Sequence, residues 1–244
     1  MLLRRLARAS TGRVSSGRAF ATASVSAGGL SGKPAVVLAS ASVEVKILTG
    51  GGHIASITHS GDSSQTNPLW EPPWDTRDPA LRRLLGPQIG DGAEGELLSC
   101  IAGHNLCLDV FGAQSEGETQ AGLCFHGEAG LVSWEVTSVG LGSVTLQAHL
   151  RQSCLDLTRT FTLVDDVVTV KESVTNLVGF ERALGRSQHV TLGADFLQSH
   201  DAPATFTANC DRGLTCERSS SPQPHSGNVA WIQRSCSNHL ADAR

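Results

Sequence analysis

The chain reads as an all-β protein, a system of short strands that stops short of the C-terminus. Three observations predict this. Apolar and polar residues alternate in short runs, from Val43 to Ile47, Val144 to Leu150 and Leu155 to Leu163. Gly, Asn and Asp clusters separate the runs, as tight turns between strands require. Composition agrees, because 26 of 244 residues are glycine, charged residues make up only 17%, and Val, Thr and Ser are frequent.

A hydrophobic content of 40% is enough for one core, and one large domain over residues 29–212 accounts for it. The net charge of -4 gives no electrostatic case for nucleic-acid binding. No run is long or apolar enough to span a bilayer, so no membrane partner is expected. Residues 1–28 carry Arg4, Arg5, Arg8, Arg13 and Arg18, and no acid precedes Glu44. Leu2, Leu3 and Leu6 interleave with the arginines, and Ser, Thr and Ala fill the rest. That is the pattern of an organellar transit peptide, mitochondrial first and plastid second. The plainer alternative is a disordered basic tail.

Within the domain, Val43, Val45 and Ile47 form a strand with one wet face. Thr49-Gly50-Gly51-Gly52 turns the chain, and His53 to His59 returns as its hairpin partner. Residues 61–96 are loop-rich. Pro68, Pro72 and Pro73 forbid a central strand there, and Trp70 and Trp74 either cap the core or stack on a ring. Ala80 to Gly86 reads as a helical turn. Leu97 to Gly112 reads as two strand segments about Gly103-His104-Asn105, and Leu131 to Val139 as another strand. The clearest hairpin turns at Asp165-Asp166. Its inner parity holds Leu155, Leu157, Phe161 and Leu163 on one strand and Val168, Val170 and Val174 on the other. Arg159 and Glu172 share that parity, so they either pair inside or are flipped outward by a bulge. Residues 213–244 are rich in Ser and Pro with no apolar period, and read as a poorly structured tail.

Seven cysteines occur without any CxxC pair, and the histidine spacing builds no zinc site, so no metal is expected and the thiols read as small buried side chains. No GxSxG elbow, GK[ST] loop or dinucleotide fingerprint is present. What remains is a pair of histidines in similar settings. His126 lies in a His-Gly-Glu turn within Cys124 to Val136, and His189 lies on a short segment, Arg186 to Leu197.

These segments carry a resemblance. NPLWEPPW, LLSCIAGHNLCLDVFG, FHGEAGLVSWEV, LTRTFTL followed by VTN, and QHVTLGADFL resemble the galactose mutarotase-like superfamily, nearest to its aldose 1-epimerase-like branch. The likeness spans roughly Val43 to Phe206. It implies a large antiparallel β-sandwich, incomplete at the C-terminus, with a sugar cleft on one concave face, no cofactor, and a small-molecule sugar as partner. It implies further that His189 is the general acid and that His126 binds the sugar, with His104, Glu128 and Gln188 alongside. The chain departs from the family pattern at His189-Val190-Thr191-Leu192, where relatives more often carry His-Pro-Tyr-Phe. It departs again at His104-Asn105, which replaces an Asn-Arg pair. The family's basic glutamate near the C-terminus has no equivalent before Arg244.

Anomer interconversion needs a base to take the anomeric hydroxyl proton and an acid to protonate the ring oxygen. An imidazole suits the acid and a carboxylate suits the base. Glu128, Glu172, Asp195 and Asp211 are the carboxylates open to that role. The reading is an aldose 1-epimerase-like isomerase acting on a hexose or related sugar. The alternatives are a non-catalytic carbohydrate-binding protein lacking the base, and an inactive chain with an open sheet edge.

Overall fold

The structure, a computed structural model, describes residues 21–61, 66–81, 89, 93–198, 214–215 and 232–233. Antiparallel strands dominate it. One sheet has six strands in the order β1 (Thr22–Leu30), β2 (Lys33–Ala39), β3 (Val43–Leu48), β4 (Ile54–His59), β5 (His104–Leu108) and β10 (Arg186–Val190). The other has four, in the order β6 (Glu135–Gly140), β7 (Ser143–Leu150), β8 (Leu155–Val164) and β9 (Val167–Asn176).

The two sheets share one core. Val36, Leu38, Val45, Ile47, Leu106 and Leu108 of the first meet Leu146, Leu150, Leu157, Phe161 and Leu163 of the second. The alternation on β8 is complete, with Leu155, Leu157, Arg159, Phe161 and Leu163 buried and their neighbours less so. A one-residue slip of this strand would turn its whole apolar set to water, so its register is strongly specified.

Most strand expectations hold. β3 and β4 pair across the Gly50–Gly52 turn, and β8 pairs with β9 from Leu155↔Asn176 to Val164↔Val167. Asp165 takes a φ of 54° in the tight turn between them, a conformation that Asp tolerates better than most residues. Arg159 stands opposite Glu172 with no bulge between, which settles their orientation inward.

Three expectations change. The Leu97 side of the Leu97–Gly112 segment is not a strand but the end of α1 (Ala93–Leu98), and only β5 is extended there. Residues 129–131 form a 3₁₀ turn, so the strand expected from Leu131 begins at Glu135. β1 starts inside the stretch assigned to the leader, where Thr22 to Ser26 pair with Ala39 to Ala35. Residues 1–20 lie outside the described residues, as does most of the expected tail, of which Leu214–Thr215 and Ile232–Gln233 form a two-residue ladder, β11 and β12. Two further short helices are present, α2 (Glu116–Gln120) and α3 (Ala194–Gln198). Among the described residues no helix is long and apolar enough to cross a membrane. The thiols divide: Cys100 and Cys107 are buried, Cys124 half-buried and Cys154 exposed.

The sheets are joined inside by a charge. Arg159 is 0% exposed, and its Nη1 donates to the Gly52 carbonyl at 2.7 Å. Its Nε lies 2.8 Å from Glu172 Oε1, and its guanidinium sits 5.0 Å from the Phe161 ring centroid and 5.6 Å from that of Trp134. Gly52 has a φ of 61°, and a Cβ there would lie 2.7 Å from the Trp134 ring, so only glycine lets the turn reach the guanidinium. Glu172 also accepts from Arg186 and from Gln188 Nε2, both on β10, which ties the edge of one sheet to the edge of the other.

Removing one half of such a pair leaves the other charge buried without its partner. Arg159→Leu is expected to lower the unfolding free energy by about 3–5 kcal/mol. The double change Arg159→Leu with Glu172→Leu is expected to recover part of that loss. Urea midpoints of the parent, both single variants and the double variant form the cycle that checks it. A single variant as stable as the parent would contradict the assignment.

Candidate functional site: a paired-imidazole array on the outer face of β5 and β10

β5 and β10 pair with His189 opposite Asn105 and Gln188 opposite Leu106. Opposed residues in an antiparallel pair point to the same face, and neighbours along a strand to opposite faces. His189, Asn105 and Cys107 therefore share one face, while Gln188, Leu106 and His104 share the other. Leu106 belongs to the inter-sheet core, so the second face is the inner one.

On the outer face, His126 and His189 come together with ring centroids 5.2 Å apart at 74°. Phe111 lies 4.9 Å from His126 and 6.0 Å from His189, and Phe125 lies 4.3 Å from His126. Both imidazoles are half-buried, and Phe111 is 40% exposed at the rim. Two ring nitrogens and aromatic faces at the surface suit a ligand with hydroxyls on one side and C–H groups on the other.

The turn that presents His126 is unusual. His126 has a φ of 60° and Gly127 of 82°. A Cβ on Gly127 would lie 2.1 Å from the Leu108 carbonyl oxygen, so glycine is required for the turn to close over the end of β5. A left-handed histidine is uncommon and is held here by surrounding contacts. The Gly112 N–H approaches Nδ1 at 3.4 Å, and Cys107 Sγ lies 3.1 Å from the same atom. Burial pushes the Cys107 thiol up to about 12, so it keeps its proton and donates. With two donors aimed at Nδ1, the neutral ring carries its proton on Nε2.

Burial, and then the neighbouring His189, lowers the His126 pKa to about 4, and burial lowers that of His189. At neutral pH both rings are therefore uncharged. His189 Nδ1 lies 3.4 Å from Thr191 Oγ1.

The other three residues expected at a sugar site fall elsewhere. His104 Nε2 lies 2.7 Å from Gln188 Oε1, and Gln188 Nε2 donates to Glu172 Oε2 at 2.8 Å. A carboxylate only accepts, so the amide must turn its oxygen to His104, whose Nε2 then donates. This relay belongs to the inner face, across the strand pair from His189. Burial and then Arg159 hold the His104 pKa at about 4. Burial alone would raise the Glu172 carboxyl, but Arg159, Arg186 and Gln188 together take it below its ordinary value.

Glu128 has a different job from the one expected. It is buried, and its oxygens accept the backbone N–H groups of Arg151, Gln152 and Ser153 at 3.2, 2.9 and 3.2 Å. The carboxylate anchors the turn between β7 and β8. Of the remaining carboxylates, Asp195 is exposed on α3, and Asp211 lies outside the described residues.

Some members of the site escaped the sequence reading. Cys107 and Asn105 are on the outer face because β5 alternates, a parity legible once the strand is recognised. Phe111 and Phe125 flank the histidines through loops, where no periodicity points to them. Ser115 to Glu118 is a capping box, with Glu118 N–H bonded to Ser115 Oγ and Glu118 Oε2 accepting from Ser115 N–H. That S-x-x-E spacing was a sequence signal for α2.

Among the described residues no group of three or more His, Cys, Asp or Glu side chains is placed to hold a metal ion. A depression of about 560 Å³ is lined by residues of 31–34 and 76–81 with Thr49 and Ser133, and shares none with the histidine array. The array is set apart by chemistry rather than size, because it brings two imidazoles together and the open depression does not. Compared with known proteins, the chain matches no family model and no curated protein.

The buried histidines predict an acid-sensitive fold. His53 is fully buried, and its pKa is lowered to about 3 by burial, then by Arg159 and His104. His53, His104 and His126 thus bind protons more weakly in the folded than in the unfolded chain, where the ordinary value is about 6.5. The unfolded state takes up protons first as pH falls, so stability is full above about 6.5 and declines toward 4. Each such histidine contributes a slope of up to about 1.4 kcal/mol per pH unit. Urea midpoints at pH 7.5, 6.5 and 5.5 should fall in that order, and a flat profile would contradict the three assignments.

Proposed function

We propose that the chain is a carbohydrate-acting protein of the galactose mutarotase-like kind, an aldose 1-epimerase-like isomerase of a hexose or related sugar. The observation that carries this reading is the His126–His189 pair, 5.2 Å apart beside Phe111. His126 offers an Nε2–H donor to a sugar hydroxyl, and Phe111 offers a ring face to the C–H side of the pyranose. His189 is the proton donor to the ring oxygen. Its pKa is lowered, so the protonated form is a minor but strong acid, and proton loss from it is favourable. The antiparallel sheets and shared core support a sandwich of this superfamily. The Arg- and Ser-rich N-terminal stretch supports a mitochondrial address, with the plastid as alternative.

A second reading is binding without turnover. It is favoured by the fates of Glu128 and Glu172, each of which has its oxygens engaged by protein groups. A base would then have to come from another carboxylate.

Polarimetry with freshly dissolved α-glucose or α-galactose separates the two. Faster relaxation than buffer supports the isomerase, and His189→Ala should then slow it by about 10²–10⁴-fold. An unchanged rotation rate together with a sugar-dependent rise in melting temperature supports binding alone. Neither effect with any hexose would sink both readings.

A further inference from the structure

The large depression away from the histidines contains an amine in an unusual state. Its walls include Lys33, Pro34, Thr76, Ala80, Leu81 and Ser133. Lys33 opens β2 directly after the Ser31-Gly32 turn, whose φ values of 50° and 76° reverse the chain. Its Nζ donates to Thr76 Oγ1 and lies 3.5 Å from the Thr76 carbonyl. Both acceptors are neutral. Among the described residues no carboxylate comes within ion-pair distance of it.

The chain has only three lysines, Lys33, Lys46 and Lys171. Lys46 Nζ is 3.2 Å from Glu44, and Lys171 is exposed on β9. Lys33 alone combines partial burial, neutral partners and an adjoining cavity. Burial lowers its pKa, outweighing Cys100, Asp75 and Asp78, which act from longer range and favour its charged form. The Asp78 carboxylate also lines the depression, and it accepts from the Ala80 N–H at 2.8 Å. Arg77 lines the same depression and adds no negative charge. A partly buried lysine bonded only to neutral acceptors keeps a larger neutral fraction, and the neutral amine is the nucleophile.

We propose that Lys33 is an imine-forming amine and that this depression is a binding site for a small hydroxyaldehyde. The Nζ lone pair attacks the carbonyl carbon, a C–N bond forms, and the carbonyl π pair moves to oxygen. Nitrogen gives up both of its protons to that oxygen, which leaves as water, and a C=N bond remains. The step is a condensation without oxidation or reduction, and water reverses it. Thr76 Oγ, already bonded to Nζ, is placed to carry the first proton. Ser133 and Thr49 bring hydroxyls to the wall for those of the ligand. The site is independent of the histidine array and stands or falls separately from it.

The test uses the full chain with glycolaldehyde and cyanoborohydride at pH 7, which reduces any imine to a stable secondary amine. Peptide mapping by mass spectrometry then reads the three lysines in one sample. Lys33 should be labelled several-fold faster than Lys46 and Lys171, and its rate should saturate with aldehyde concentration. Equal or slower labelling of Lys33 would overturn the proposal, as would a rate that rises linearly without saturation. Leu81→Glu places a carboxylate at a position that is 49% exposed, which the fold should tolerate. It is expected to restore the ammonium and erase the preference. Retention of the preference in a folded Leu81→Glu protein would also overturn the proposal.

Discussion

The interior of this protein is organised around a guanidinium that has no access to water. Arg159 projects from β8 into the space between the sheets, where an unpaired charge would be very costly. Its compensation comes from three directions. Glu172 supplies the counter-charge from the adjacent strand, Gly52 supplies a carbonyl from the opposite sheet, and Trp134 with Phe161 supplies aromatic faces. Each partner constrains another element. The Gly50–Gly52 turn must approach closely, β9 must hold register with β8, and β10 must lie where Arg186 and Gln188 reach Glu172.

The same network places the histidine array without touching it. Gln188 is fixed by Glu172 and His104 on the inner face of β10, and His189 is its immediate neighbour on the outer face. Strand alternation converts a buried polar relay on one side into a defined imidazole position on the other. On that outer side the left-handed His126-Gly127 turn closes against Leu108, bringing the second ring into range. A rigid inner layer and a strained turn thus fix a pair whose two halves lie far apart in the chain. Such support is what separates a positioned site from two histidines that happen to be near.

Much of the strand pattern was legible because half-buried strands write their orientation into the sequence at period two. β3, β7, β8 and β9 show it clearly, and the inward parity of Arg159 and Glu172 followed from counting along the hairpin. Period two could not say whether a bulge intervened, which is a matter of register between strands. The pattern failed at Ala93–Leu98, where a six-residue helix is too short to show its own period. The site was half legible. His126 and His189 stood out as chemical groups, but the sequence offered His104, Gln188 and Glu128 equally. Their assignment depends on which face a side chain takes and on which donors reach it.

Sequence alone determined the class of fold, the two histidines worth following, and a core built from β-branched and leucine side chains. These depend on local alternation and on residue chemistry, both written in one dimension. Tertiary structure decided that His126 and His189 meet and that His104 and Gln188 are turned away from them. It also decided that Glu128 is consumed by the backbone of residues 151–153. Those outcomes rest on strand pairing and on hydrogen-bond donors contributed from distant segments, and no spacing along a single chain encodes which of them will arrive.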